Sequence, residues 1–197
     1  RLERQFVTNF LTTGKWGTDI TGVASAPSGS QTIQWSDYVN STPFQDIQTA
    51  RSAMIANTVR PNTLVLGQQV WDVLKNHPDL LERVKYSQLA VLTTDLLASL
   101  FEVDQVIIGS SVQNTAVDGQ TDSLGFIWPK SCWLMYVTPT PGIREVSAGY
   151  HLTLQNGRYI DAWDEQERKA SFVRFNDYYE RQVIAQEAIY LIKNAVA

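Results

Sequence analysis

The chain has 197 residues, a formal net charge of −4 and a hydrophobic fraction of 44%. Its length and apolar content suit a packed core and argue against global disorder. The acidic balance excludes a protein that binds nucleic acid through bulk positive charge, and no apolar run approaches the ~18 residues of a membrane-spanning helix.

The first predicted elements are a helix, a loop and a short strand. Apolar residues at helical spacing predict a helix over residues 1–13, which Gly14 ends. No N-cap precedes this helix, so we expect it to be the end of a longer one and the chain to lack upstream residues. Residues 14–30 are rich in turn formers and predict a loop, and residues 31–35 alternate as a short strand does.

The second predicted helix has the clearest start signals in the chain. Thr42 is its expected N-cap, Pro43 occupies the first helical position, and Gln45 completes a capping box. An apolar stripe follows at helical spacing and predicts the buried face. It consists of Phe44, Ile47, Ala50 and Met54.

Helices and short strands continue to alternate up to residue 109. His77 and Pro78 interrupt the helical pattern, and Thr94 is the expected cap of the last helix. The predicted elements are a strand over 63–66, a helix over 67–75, a helical turn over 79–84, a helix over 93–101 and a buried strand over 103–109.

Strands dominate the sequence after about residue 138, so the predicted fold class is α+β or mixed α/β. Asn156-Gly157 lies between two alternating runs and predicts a hairpin turn. Residues 183–193 fit a strand and a helix about equally well. The other predictions are a polar loop over 114–122, strands over 124–128, 131–138, 171–175 and 180–192, and a mixed-charge linker over 161–169.

The sequence contains none of the usual catalytic or phosphate-binding motifs. Cys132 lies in an apolar strand pattern and is expected to be inert, and the only histidines, His77 and His151, are expected to be a helix-terminus residue and a surface or interface residue. An intrachain disulfide is impossible, and no zinc spacing is present. We therefore predict no catalytic, cofactor-binding or metal-binding residues, no cofactor and no enzymatic activity.

Acidic and aromatic residues are the remaining candidates for chemistry. Four carboxylates adjoin basic residues and predict a solvated charged turn rather than a glycosidase pair; they are Asp161, Asp164, Glu165 and Glu167. Six tryptophans could stack on sugar rings, but four lie in apolar segments, where core or interface packing is more common. The six are Trp16, Trp35, Trp71, Trp128, Trp133 and Trp163.

Five segments in order resemble the major capsid proteins of tailed bacteriophages, the Hong Kong ninety-seven-type fold. Residues 1–20 resemble the end of the family's spine helix and the loop after it. Residues 43–85 resemble its helix, Pro-Asn-strand and helix, and the run LLASLFEVDQVIIG resembles its leucine helix and following strand. Residues 126–139 and 163–192 resemble its later strands and closing segment.

The resemblance implies two domains and a structural role. A peripheral domain would comprise residues 1–58 and 145–197, an axial domain residues 59–144, and residues 183–193 would be strand. The implied function is a self-assembling subunit that forms pentamers and hexamers of an icosahedral shell around a genome, in the virion and, during assembly, in the host cytoplasm. Partners would be further copies, scaffold, protease or portal proteins, and weakly contacted DNA; no membrane is implied.

Two departures and two alternatives accompany this interpretation. Nothing matches the family's N-terminal arm and extended loop, and Ser171 stands where some members have a cross-linking Asn, so we expect no autocatalytic cross-link. An encapsulin-type nanocompartment shell is the alternative within the fold. An aromatic-rich carbohydrate-binding module is the alternative outside it, although the capped helices count against an all-β module.

Overall fold

A computed structural model describes residues 2–85, 92–142 and 144–197; Arg1, which falls in the first predicted helix, lies outside the described residues. The chain divides into two compact units. The larger unit comprises Arg1–Ala148 with Ala185–Ala197, and the smaller one is Gly149–Ile184.

Five helices and eight strands form the described part of the larger unit. The helices are α1 (Leu2–Phe10), α2 (Pro43–Ala56), α3 (Gln68–Leu74), α4 (Pro78–Val84) and α5 (Thr94–Phe101). The strands are β1 (Thr18–Val23), β2 (Gln31–Ile33), β3 (Thr63–Gly67), β4 (Gln105–Gly109), β5 (Val112–Asn114), β6 (Leu124–Phe126), β7 (Cys132–Met135) and, after the smaller unit and a 3₁₀ turn at Gln186–Ala188, β10 (Ile189–Lys193). This mixture confirms the α+β class.

A six-stranded sheet in the order β2-β1-β10-β7-β3-β4 organises the larger unit. Strand β7 runs antiparallel to both of its neighbours, whereas the other adjacent strands are parallel. Strands β5 and β6 form a separate antiparallel pair. The prediction of strand over residues 183–193 is correct only in part: β10 lies in the middle of the sheet, but Gln186–Ala188 is a 3₁₀ turn that interrupts the segment.

The main core lies on one face of this sheet, where alternate strand residues meet the helices. Within α2, Ile47, Ala50 and Met54 are buried as the stripe predicts, and Phe44 is half-buried against the same core. The sheet contributes Leu64, Leu66, Cys132, Leu134, Tyr190 and Ile192. Burying each large side chain stabilises the fold by about 1.5–3 kcal/mol.

The helix starts differ from the predicted caps. The Thr42 side chain makes no capping hydrogen bond, so the predicted capping box is wrong. Instead the Phe44 N–H donates to the Asp79 carboxylate of α4 at 3.3 Å, because the packed neighbouring helix supplies an acceptor that local sequence cannot reveal. The cap of α5 is Thr93 rather than Thr94, and its hydroxyl accepts from the Leu96 N–H at 3.3 Å.

The sheet contradicts two predictions, one of a loop and one of a buried strand. Residues 14–30 contain β1, which is strand because β10 and β2 pair with it on both sides. Its Gly22 looks like a turn residue, but a Cβ there would lie 2.2 Å from the Asn194 carbonyl oxygen, so close strand packing explains the glycine. Strand β4 is half-exposed rather than buried, because it is an edge strand.

The smaller unit is one long two-stranded ribbon. Strand β8 (Gly149–Glu165) pairs antiparallel with β9 (Ala170–Val183), and residues 166–169 connect them. The predicted hairpin turn at Asn156-Gly157 is wrong: these residues lie in an irregularity within β8, between Thr153 and Arg158. The predicted linker over 161–169 is also wrong, since its first half is strand. Long-range pairing outweighs the local turn preference of Asn-Gly.

Candidate assembly surfaces and polar clusters

A buried histidine and serine form the most enzyme-like pair in the described residues. His77 precedes α4, and its Nε2 lies 2.9 Å from the Ser41 hydroxyl oxygen. The same hydroxyl lies 2.6 Å from the Asp37 carbonyl oxygen. On the other side of the ring, the Asp79 N–H donates to His77 Nδ1 at 3.2 Å.

The direction of these hydrogen bonds excludes a serine nucleophile activated by histidine. Because Nδ1 accepts from a backbone N–H, the neutral ring carries its proton on Nε2. Nε2 therefore donates to Ser41, and Ser41 donates to the Asp37 carbonyl. A catalytic base must instead accept the serine proton. The sequence predicts His77 as a helix-terminus residue, where a C-terminal position would favour positive charge. The ring instead caps a helix N-terminus, and burial lowers its pKa despite the opposing charge of Asp79.

The remaining histidine and the cysteine lie in separate strands. His151 lies exposed on β8, where its ring stacks on Tyr179 with 5.2 Å between centroids. Cys132 is fully buried in β7, and burial raises the pKa of its thiol far above the usual range. Within the described ranges, no three His, Cys, Asp or Glu side chains are grouped to hold a metal ion.

A half-buried carboxylate that the sequence does not single out joins α2 to the sheet. One oxygen of Asp46 accepts from the Trp35 indole N–H at 2.8 Å and from the Thr32 hydroxyl at 2.9 Å. Burial raises the pKa of Asp46, and these two hydrogen bonds oppose that rise. Its position four residues after the N-cap was visible in the sequence, but its partners depend on tertiary packing.

The four carboxylates near the ribbon connection do not form a site. Asp161 pairs with Arg174 at 2.7 Å, whereas Asp164 accepts from the Ser171 hydroxyl at 2.6 Å. Glu165 lies 3.7 Å from Arg168. Strand alternation places Asp161 and Asp164 on opposite faces. The cluster is a set of exposed cross-strand and local pairs.

The tryptophans pack rather than form a platform for sugars. Trp16, Trp35, Trp71 and Trp133 are buried, and Trp128 is half-buried with its ring edge against Trp133. Trp163 is the exposed one, at 47% of its full surface, and it stacks on Phe172 across the ribbon. A single exposed tryptophan among the six does not form a stacking platform for sugars.

The ribbon's two faces are its main apolar surfaces. Ile160 lies opposite Phe175, and Ala162 lies opposite Val173. Three of these four side chains are aliphatic, and we call this side of the ribbon the aliphatic face. Ile160, Val173 and Phe175 are 60–73% exposed. The opposite, aromatic face carries the Trp163–Phe172 stack. A two-stranded ribbon without a covering layer is only marginally stable in water, so these faces need a partner surface.

Comparison with known proteins identifies the family. The model of the family described as phage major capsid protein E matches residues 27–171. The chain belongs to that family. The prediction from the resemblance is thereby confirmed.

Two relatives match most of this chain. The major capsid protein of Burkholderia phage BcepMu is 34% identical over 138 residues, which are 68% of this chain and 43% of that protein. A crystal structure of a phage-related protein from Bordetella bronchiseptica RB50 matches 98% of this chain and 62% of its own chain, with 27% identity and a TM-score of 0.80. The chain thus spans about half the length of these relatives.

A third structure, with lower sequence identity, supports only the assignment of the fold. A virus-like particle protein from Pyrococcus furiosus matches 98% of the chain and 62% of its own, with a TM-score of 0.53 and 12% identity. The predicted Hong Kong ninety-seven-type capsid fold is confirmed by these matches. In the part of the chain that the structure describes, no helix is both long and apolar enough to cross a membrane.

Proposed function

We propose that this chain is the shell-forming part of a phage major capsid protein, which self-assembles into pentamers and hexamers that enclose the genome. The match to the capsid family over residues 27–171 carries the proposal. The exposed faces of the ribbon supply apolar area of the kind that subunit interfaces bury. Closed rings need head-to-tail contacts between copies, and such contacts use different surfaces of each subunit.

The polar chemistry supports a structural rather than enzymatic role. His77 and Ser41 are oriented against nucleophilic catalysis, and Cys132 is buried as a thiol. Ser171 stands where the family resemblance implies a cross-linking Asn in some members, and its hydroxyl donates a hydrogen bond to the Asp164 carboxylate. We expect assembly by noncovalent contacts, without an autocatalytic cross-link.

The proposed domain organisation, assembly partners and location follow the family resemblance. Residues 1–58 and 145–197 form the peripheral domain, and residues 59–144 form the axial domain near the five-fold and quasi-six-fold centres. Scaffold, protease and portal proteins are the expected assembly partners in the host cytoplasm, and the mature location is the virion. With a net charge of −4, the chain favours weak contact with packaged DNA.

Electron microscopy of the full-length protein, expressed alone and concentrated, tests the proposal. Closed shells or rings of five or six subunits are the expected result. Val173, which is 73% exposed on the aliphatic face, supplies the matched variant: Val173→Asp should prevent assembly and leave the subunit's circular dichroism unchanged. Glu167→Gln, an exposed change at the ribbon connection, should assemble normally.

Two outcomes would count against the proposal. A monodisperse monomer at every salt and protein concentration, with scaffold and protease supplied, would reject the shell function. Shells from Val173→Asp as abundant as those of the wild type would reject the aliphatic face as an interface. Particles that contain protein cargo and no nucleic acid when produced during phage infection would favour the nanocompartment alternative.

A further inference from the structure

Residues 36–42 form a small, tightly hydrogen-bonded segment with an apolar tip. The Asp37 carboxylate accepts from the Val39 N–H at 3.1 Å and from the Asn40 N–H at 3.2 Å. These bonds fix a turn that holds Val39 88% exposed and Tyr38 43% exposed. The structure therefore presents two apolar side chains to solvent on a rigid support.

Thr42 of this segment leads directly into α2, and the His77 ring attaches the segment to the α3–α4 corner. His77, at the corner between α3 and α4, is fully buried and holds the Ser41 hydroxyl at 2.9 Å. The Tyr38 ring packs edge-on against it, with 5.4 Å between centroids. On its far side the ring accepts the Asp79 N–H and so caps α4. The one imidazole thus joins the segment and the helix start.

Only the neutral ring can make both contacts. A protonated imidazole has two donors and no acceptor. Its Nδ1–H would point at the Asp79 N–H, so the α4 cap would be lost and two donors would face each other in a buried site. The buried cation would add a desolvation cost.

We propose that His77 is an acid-sensitive latch that holds residues 36–42 against the α3–α4 corner and releases them when the ring is protonated. Release would free the Tyr38–Val39 tip and loosen the start of α4 together. The proposal concerns the larger unit alone and stands independently of the shell function.

The surrounding charges set the direction of the response. Burial lowers the pKa of His77, and the Asp79 carboxylate opposes this more weakly. Asp79 is itself engaged by the Phe44 N–H and by Arg83. The packed elements also carry Asp37 and Tyr38 on the segment, Asp46 and Arg51 on α2, Glu82 on α4, and the Asp72–Lys75 pair on α3.

The sign of the pH effect follows from this lowered pKa. The unfolded ring takes up a proton at about pH 6.5, before the folded ring does. The latch is therefore fully effective above about pH 6.5 and weakens as the pH falls below it. Each pH unit between the two pKa values shifts the balance toward the released state about tenfold.

Hydrogen exchange of the full-length protein, read by mass spectrometry on peptides covering residues 36–43, tests the latch. After correction for intrinsic exchange, protection should fall progressively between pH 7.5 and pH 5, by no more than about tenfold per pH unit. In His77→Gln the amide oxygen can accept from Asp79 and the amide nitrogen can donate to Ser41, so protection should persist without the pH dependence. His151→Gln removes the other histidine of the chain and should behave as the wild type.

Two results would overturn the proposal. One is a pH profile that is the same in the wild type and His77→Gln. The other comes from the wild type alone, which keeps the test valid even when the variant does not fold: exchange at the imidazole C2 carbon that gives His77 a pKa of 6.5 or above shows that the buried ring accepts a proton freely.

Discussion

Asn62 should be a large contributor to stability, because its side chain extends the pairing of β3 with β7. The Asn62 amide nitrogen donates to the Val137 carbonyl at 2.7 Å, and its amide oxygen accepts from the Val137 N–H at 2.9 Å. The same oxygen accepts from the Thr63 hydroxyl at 3.1 Å. The side chain thus replaces the reciprocal hydrogen bonds of a backbone pair, one residue beyond the ladder.

Asn62→Ala removes three hydrogen bonds, each with a net value of about 0.5–1.5 kcal/mol. Because those to Val137 are solvent-exposed, the lower half of this range applies, and the expected loss is about 2 kcal/mol. For a chain of this size the melting temperature should fall by about 4–8 °C.

Urea unfolding followed by tryptophan fluorescence measures this loss, with Asn57→Ala, an exposed change after α2, as the matched control. Asn62→Asp should be at least as damaging as Asn62→Ala at neutral pH, because the donor to the Val137 carbonyl becomes an acceptor. An Asn62→Ala loss below about 0.5 kcal/mol, the range of ordinary surface changes, would refute the reasoning.

Three further substitutions probe the ribbon, α2 and the half-buried carboxylate of Asp46. Gly157→Val should destabilise the ribbon by about 1–3 kcal/mol, because its Cβ would lie 2.9 Å from Leu154 Cβ; proteolysis of the ribbon measures it, and Gly125→Val, which points into open space, should have no such effect. Phe44→Ala should cost about 2 kcal/mol in urea unfolding, less than a fully buried Phe because the ring is half-buried; a loss under about 1 kcal/mol would place the ring outside the core. Burial raises the pKa of Asp46, so its ionisation opposes folding at neutral pH, and stability should rise as the pH falls through its folded pKa. Asp46→Asn should flatten that part of the pH profile, and an unchanged profile would contradict the assignment.

The elements that sequence predicts well are those whose signals are local. Helix α2 begins at Pro43 as expected, and its apolar stripe faces the core because helical spacing alone decides which side is buried. The caps were less predictable. Thr42 has the right residue type, yet Asp79, 37 residues later, satisfies the helix start, and only tertiary packing brings that carboxylate near.

The strand predictions that are wrong fail because long-range pairing overrides the local sequence signals. β1 was assigned to a loop because its glycine and polar residues resemble a turn, whereas pairing with β10, more than 160 residues away, makes it a strand. Asn156-Gly157 has the strongest local hairpin signal in the chain. The chain turns instead at residues 166–169, because that turn brings Ile160 opposite Phe175 and Trp163 opposite Phe172.

The sequence predicts that the chain has interface surfaces, but it does not predict where they lie. The abundance of aromatic residues predicts interfaces, but five of the six tryptophans pack within the larger unit, and much of the exposed apolar area lies on the two faces of the ribbon. Alternation predicts a strand with one buried face, and sequence cannot say whether the covering layer belongs to the same chain.

The polar groups show why a search for catalytic motifs finds nothing in this fold. The imidazole of His77 accepts a backbone proton, the carboxylate of Asp46 accepts from Trp35 and Thr32, and the Ser41 hydroxyl donates to a carbonyl. The side chains of these three groups form hydrogen bonds with the backbone or with core residues. None of the three is therefore oriented toward a ligand. A subunit that presents apolar faces outward requires such internal fixation, because a flexible support would lose ordering entropy at every contact it formed.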